Sequence, residues 1–361
     1  MELIRTGRYT LILDEELDVV QDFNSVQAVE AASRQTITGE DVKFLIEHHI
    51  ISVGKDNRVS WCCTEYSDDL KFSAVQKYAR LGRLFCVDGR LLLAVFPPEM
   101  FRCFAEIYIM TYLFSASYFR YYLDLFEIMY ETVSVMSNEG GLELSAYNPC
   151  FEAEFRHKCK ELIHICDNLS MNNYKGRNAL SKSWYDGSTR NSDRLKVLRG
   201  HISNYFRRYL KDARATNGDI MWTTFNEFEN KLKGKGYTVE RMLSKEERKL
   251  PAAERETIKK ELSCFVPHNA RATNKYSDRW ALVYAVNKFP NPMIRKFFTD
   301  GNDDRSRRGL PEIQPNDDLY GLSCMLQWIF RSRIRDGKSI EIYIPSQRMR
   351  QLLIDWLDEK I

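Results

Sequence analysis

Four short segments gather the residue types that handle phosphate chemistry. Residues 11–16 read LILDEE, an apolar run ending in three carboxylates. If the run is a buried strand, Asp14 stands at the carboxyl edge of a sheet, where ligands of open α/β folds collect. There Asp14 can hold a magnesium ion, and Glu15 can polarise a water for attack on a phosphoanhydride. The plainer alternative is an acidic turn. Residues 107–117, IYIMTYLFSAS, end in Ser115, Ala116 and Ser117. Their hydroxyls can bond a catalytic carboxylate and sense a nucleotide, or simply cap the next helix. In residues 327–335, QWIFRSRIR, helical spacing puts Gln327 and Arg331 on one face and Arg333 across from them. Such arginines stabilise charge developing on a γ-phosphate, or make a basic surface helix. Residues 265–278, FVPHNARATNKYSD, offer Asn269, Arg271, Thr273 and Asn274 to a phosphate backbone, or form a well-bonded loop.

These segments need rigid elements to hold them. Residues 8–13 and 107–114 read as buried parallel strands. Residues 39–50 have helical spacing, with Thr38 as a cap three residues before Asp41. Residues 67–81 predict another helix. Hairpins are expected at residues 54–57 and at Asp88-Gly89. An aromatic-rich helix is expected over 118–135. Its aromatic stretch at 118–130 can stack bases, though at helical spacing it suits core packing better. Around residues 138–141 the apolar pattern breaks, which sets the expected boundary between domains 1–145 and 146–361. Beyond it, helices are expected at 193–214, 225–233, 292–298, 317–333 and 345–357, with strands at 220–225, 262–266, 281–286 and 340–344. Residues 232–261 read as a solvated insertion and 300–316 as a surface loop. The alternation of strands and helices predicts an α/β fold with mainly parallel sheets.

Composition narrows the class. Apolar residues make up 44% and charged residues 29%, the balance of a globular protein with a core. No apolar run approaches the length needed to cross a bilayer, so no membrane partner is expected. Nine cysteines without a disulfide framework suit a reducing, cytoplasmic setting. Residues 1–150 carry 13 Lys+Arg against 22 Asp+Glu, whereas residues 151–361 carry 40 against 28. A basic second half suggests a polyanionic partner.

Taken together, the four segments fall in the order of helicase motifs, and the sequence resembles the superfamily 2 (DEAD-like) helicases. LILDEE is similar to the Walker B motif, which implies Asp14 as the magnesium ligand and Glu15 as catalytic base. Ser115-Ala116-Ser117 resembles the Ser-Ala-Thr coupling motif. QWIFRSR resembles the Gln-x-x-Gly-Arg motif of the second lobe, which implies catalytic roles for Gln327, Arg331 and Arg333. Here Phe330 stands where Gly is usual, and the second arginine follows two residues after the first instead of three. MWTTF at 221–225 and YIPSQRMRQLL at 343–353 also resemble phage or mobile-element helicases. The resemblance implies two RecA-like (P-loop NTPase-type) lobes, ATP and Mg2+ as cofactors, replication proteins as associates and nucleic acid as partner, with single-stranded or duplex DNA ahead of RNA.

One part of that pattern is missing. A motor of this type needs a Gly-rich loop with Lys and Ser/Thr ahead of the Walker B strand, and only 13 residues precede Asp14. Gly337-Lys338-Ser339 is a decoy, since Ser332 replaces the earlier Gly and a strand follows. The first lobe is therefore expected to be incomplete at its N-terminus, either as a piece of a longer gene product or as a degenerate subunit. Both predict little or no ATP hydrolysis by this chain. The leading expectation is an ATP-driven helicase or translocase; the alternatives are a non-catalytic nucleic-acid-binding replication accessory protein and an interaction scaffold. His157, Cys159, His164 and Cys166 form a weak zinc candidate, because helical spacing splits them into two directions.

Overall fold

The structure is a computed structural model, and it describes residues 2–361 except 31–35, 65–70, 139, 169, 189–191, 215–217, 239–243, 262 and 271–272. The chain forms two compact units. One comprises residues 1–131 and 290–319, the other residues 132–289 and 320–361. The sequence reading divided the chain once, at 145/146. Here residues 290–319 return to the first unit instead.

In the first unit, β1 (Thr10–Leu13) pairs in parallel with β7 (Glu106–Ile109). β2 (Val20–Asp22), β6 (Leu91–Val95) and β5 (Leu84–Val87) make an antiparallel sheet, and β3 (Ile51–Val53) and β4 (Val59–Trp61) a hairpin. Among the described residues, parallel pairing in this unit is confined to β1–β7, so the mainly parallel sheet expected here is corrected to one parallel pair. Both strands alternate exposed and half-buried residues, which also corrects the expectation of fully buried strands. A two-stranded pair has a solvated face, and its side chains alternate across it.

Local signals held where they were chemically specific. Helix Gly39–Glu47 starts at a complete capping box, with Thr38 Oγ1 accepting from the Asp41 N–H and the Asp41 carboxylate accepting from the Thr38 N–H. Both expected hairpins form, the second with Asp88 and Gly89 at positive φ. The helix expected over 67–81 spans Ser73–Arg80, and part of that range lies outside the described residues.

The helix expected over 118–135 ends at Leu125. Glu127 takes φ 53°, and the Ile128 N–H closes onto the Leu123 carbonyl, which terminates the helix. Residues 133–138 become β8 (Val133–Asn138), paired with β9 (Gly141–Ala146). Asn138 pairs with Gly141, so the expected boundary at 138–141 falls within the pairing of β8 with β9, inside the second unit. Phe119, Tyr121 and Tyr122 of the short helix are core residues, packed with Phe297 and Phe298 from the returning segment.

The second unit is built on a four-stranded parallel sheet in the order β10 (Ile163–Ile165), β13 (Ile340–Tyr343), β12 (Ala281–Tyr284), β11 (Ile220–Thr223). A parallel bridge from Trp222 to Phe265 extends it, in place of the strand expected at 262–266. β11 and β12 are buried at every position, as their unbroken apolar runs require of a sheet covered on both faces. Helix Ser192–Asn204 passes into a π-turn at Tyr205–Tyr209, short of the expected 214. The expected 225–233 helix is a 3-10 turn followed by Glu229–Leu232. Residues 232–261 include helix Ala252–Glu261, and the expected 300–316 loop holds helix Asn302–Arg307. Among the described residues no helix is long and apolar enough to cross a membrane.

Candidate functional site

The register of β1 against β7 aligns Leu13 with Ile109, and the Met110 N–H donates to the Leu13 carbonyl at 2.9 Å. The acidic segment and the Ser-containing segment therefore leave the sheet side by side at one carboxyl edge. Thr111 Oγ1 donates to Glu16 Oε1 at 2.6 Å and links them directly. Asp14, Glu15 and Ser115 are exposed there. Ala116 is buried in the core, and Ser117 is the N-cap of helix Tyr118–Leu125, its Oγ accepting from the Arg120 N–H at 3.0 Å. The Ser115 carbonyl accepts from the Tyr121 hydroxyl at 3.2 Å. Asp14 and Glu15 are thus adjacent exposed carboxylates at that edge.

In the second unit Gln327, Arg331 and Arg333 part company. Helix Asp317–Ile329 carries exposed Gln327 but stops before the arginines, which corrects the expected helical placement of Arg331 on the face of Gln327 with Arg333 across from them. Arg331 is buried in the turn that follows. Arg333 begins a 3-10 turn ahead of β13, donates to the Ser339 carbonyl and lies 5.5 Å from the Trp280 ring. Both partners precede a strand, so Arg333 sits at the amino edge of the sheet. Arg335 of the same turn donates to Asn274 Oδ1. Asn269 is exposed just beyond the Phe265 bridge, Thr273 Oγ1 accepts from the Lys275 N–H at 3.3 Å, and Arg271 lies outside the described residues. The zinc candidates also separate. His157 is on helix Pro149–Leu162, His164 is on β10, and Cys159 and Cys166 are buried. Among the described residues no group of three His, Cys, Asp or Glu is placed to hold a metal ion.

A different set of residues meets at the carboxyl edge of this parallel sheet. Asn287, fully buried just past β12, pins three segments at once. Its N–H donates to the Leu180 carbonyl at 2.9 Å, and Nδ2 donates to the carbonyls of Arg177 and Ala179 at 2.7 and 2.8 Å. Its Oδ1 accepts from Arg348 Nη1 at 2.7 Å. Arg348 also donates to the Lys288 carbonyl at 3.0 Å and stacks 4.1 Å from the Phe289 ring centroid. The Lys288 ammonium faces the Phe225 ring at 6.0 Å, and His268 meets the same ring edge-on at 5.3 Å. On the rim, Lys182 pairs with Glu227 at 3.1 Å. Burial, then the nearby Lys288 charge, pushes the His268 imidazole down to about 4 and keeps it neutral. Burial likewise lowers the Lys288 ammonium.

None of Lys182, His268, Asn287 or Lys288 was singled out from the sequence as a site residue in its own right. The signal was there. ALVYAVNK is a buried apolar run ending in polar residues, the same pattern that singled out LILDEE.

Comparison with known proteins places the chain. A family model described as the YonV C-terminal Rossmann-like domain matches residues 157–357, a range that holds all four parallel strands of the second unit. The chain is 33% identical, over an alignment of 369 residues, to the SPbeta prophage-derived uncharacterized protein YonV of Bacillus subtilis (strain 168). That alignment covers 99% of this chain and 76% of the relative.

Proposed function

The chain belongs to the family of the prophage protein YonV, and from that premise we propose that it is a nucleic-acid-binding component of an ATP-driven helicase or translocase. One observation carries the reading. The parallel β1–β7 pair brings LILDEE and TYLFSAS to a single edge, joined by the Thr111–Glu16 hydrogen bond. In a motor, a magnesium-binding carboxylate and a coupling hydroxyl must be neighbours at such an edge. In this reading Asp14 holds the metal, Glu15 is the base, and Ser115–Ser117 couple nucleotide state to nucleic-acid grip. Gln327, Arg331 and Arg333 act on the nucleotide, and Asn269, Arg271, Thr273 and Asn274 contact phosphates. Replication proteins are its natural associates.

A second reading is favoured by the use already made of the edge. The Ser117 hydroxyl is committed to a helix cap. On that reading the chain is a non-catalytic nucleic-acid-binding accessory protein.

The test is to titrate the chain with labelled single-stranded DNA, duplex DNA and RNA across salt, and to follow ATP turnover beside each. Both readings expect binding that weakens as salt rises, with turnover no faster than a protein-free blank. Turnover abolished by Glu15→Gln would decide for a working motor. No binding to any of the three polymers at low salt would overturn both readings.

A further inference from the structure

The second unit has a topological switch at its centre. From β11 the chain runs outward to the Phe265 bridge, then returns past β11 to β12 and continues inward to β13. Adjacent strands β11 and β12 thus send their connections in opposite directions, the arrangement that in open parallel sheets leaves a crevice beyond the carboxyl ends. That crevice is where ligands bind. Here it is bordered by Thr224, Phe225 and Glu227 after β11, and by Asn287 and Lys288 after β12.

Lys288 is a half-buried ammonium with no ion-pair partner among the described residues; it is set against an aromatic ring. The groups within electrostatic reach are Lys182, which opposes it, Glu227, which is already paired with Lys182, and the Cys324 thiol. His268 is neutral beside it and adds no negative charge. Arg348 brings a further cation, anchored through Asn287. Desolvating an unpaired ammonium is costly, and proteins keep such groups where a ligand supplies the counter-charge.

We infer that this crevice is a phosphate-binding site, with Lys288 as its central contact, Lys182 as a rim contact and Asn287 as the residue that positions Lys288 and Arg348. The phosphate belongs either to a mononucleotide or to a nucleic-acid backbone. The site does not rest on the motor reading: it stands in a different unit from Asp14, and its residues are none of those assigned there.

The experiment uses the full chain with two probes, a fluorescent ATP analogue and fluorescein-labelled oligothymidylate, and inorganic pyrophosphate as competitor. Wild type is expected to bind at least one probe, displaced by pyrophosphate. Lys288→Gln should weaken that binding about tenfold or more, the loss of one charge-assisted contact, while Lys288→Arg retains part of it. Lys338→Gln, at the amino edge of the same sheet, should change nothing. Because Lys288 is unpaired, Lys288→Gln should keep or raise Tm. Loss confined to the ATP analogue assigns a mononucleotide, and loss confined to the oligonucleotide assigns a backbone. If Lys288→Gln lowers Tm, exposed Lys182→Gln provides the same readout without disturbing the interior. The inference is overturned if wild type binds neither probe at low salt. It is equally overturned if Lys288→Gln and Lys182→Gln bind as wild type does, or if Lys338→Gln loses as much as they do.

Discussion

At the scale of single residues, the two candidate edges differ in how fully their polar groups are used. At the β1–β7 edge, Ser117 is a helix cap, and its removal is a stability question. Ser117→Ala is expected to cost about 1 kcal/mol, read as a lower denaturation midpoint at unchanged m-value. An unchanged midpoint would mean that the cap contributes nothing. At the β11–β12 edge, His268 is the residue with a pH signature. Its folded pKa of about 4 lies below the ordinary 6.5, so the folded state binds fewer protons than the unfolded state between those values. Its contribution is fully present above pH 6.5 and is lost as pH falls toward 4. The loss amounts to at most about 3 kcal/mol. Thermal melts of wild type and His268→Gln across that window should converge at the acid end; parallel curves would show that His268 titrates normally.

At the scale of elements, the sequence was most legible where one residue type has one job. The Thr38–Asp41 capping box and the Asp88-Gly89 turn were readable because their geometry is closed within four or five residues. The helix expected through 135 failed because apolar and aromatic residues serve a helix and a ribbon equally well, and a left-handed Glu127 decided between them. β12 shows the reverse case. An unbroken apolar run predicts a strand buried on both faces, and it pairs with β11 on one side and β13 on the other. Leu282→Ala in that strand should therefore destabilise by about 2–5 kcal/mol, as measured by chemical denaturation. A loss below about 1 kcal/mol would mean that the site collapses onto the cavity.

At the scale of the molecule, the decisive feature is the return of residues 290–319 to the first unit. Ile294, Phe297, Phe298 and Ile313 complete a core whose other buried members lie between Val19 and Leu123. Arg305 Nη1 donates to the Asp124 carbonyl at 2.7 Å, and the Tyr121 hydroxyl accepts from the Asn316 N–H at 3.0 Å. The two ends of the excursion are close together. A Cβ on Gly321 would meet the Lys288 carbonyl at 2.9 Å, an approach that only glycine permits. Residues 132–361 with 290–319 replaced by a short Gly/Ser linker should therefore fold as a cooperative unit and elute as a monomer. The same fragment retaining 290–319 exposes four large apolar side chains and should aggregate, as size-exclusion chromatography would show. Identical behaviour of the two would refute this partition.

By itself, the sequence determined the α/β class, the parallel character of the second unit and most of the elements around its sheet. Those properties follow from patterns repeating every two to four residues, where backbone geometry and burial act locally. Tertiary structure alone decided that Arg333 belongs to the amino edge, that 290–319 belongs to the first unit, and that Lys288, at the carboxyl edge, has no ion-pair partner among the described residues. Each of these depends on partners distant in sequence. A lysine after a strand looks the same in one dimension whether or not a carboxylate waits beside it in three.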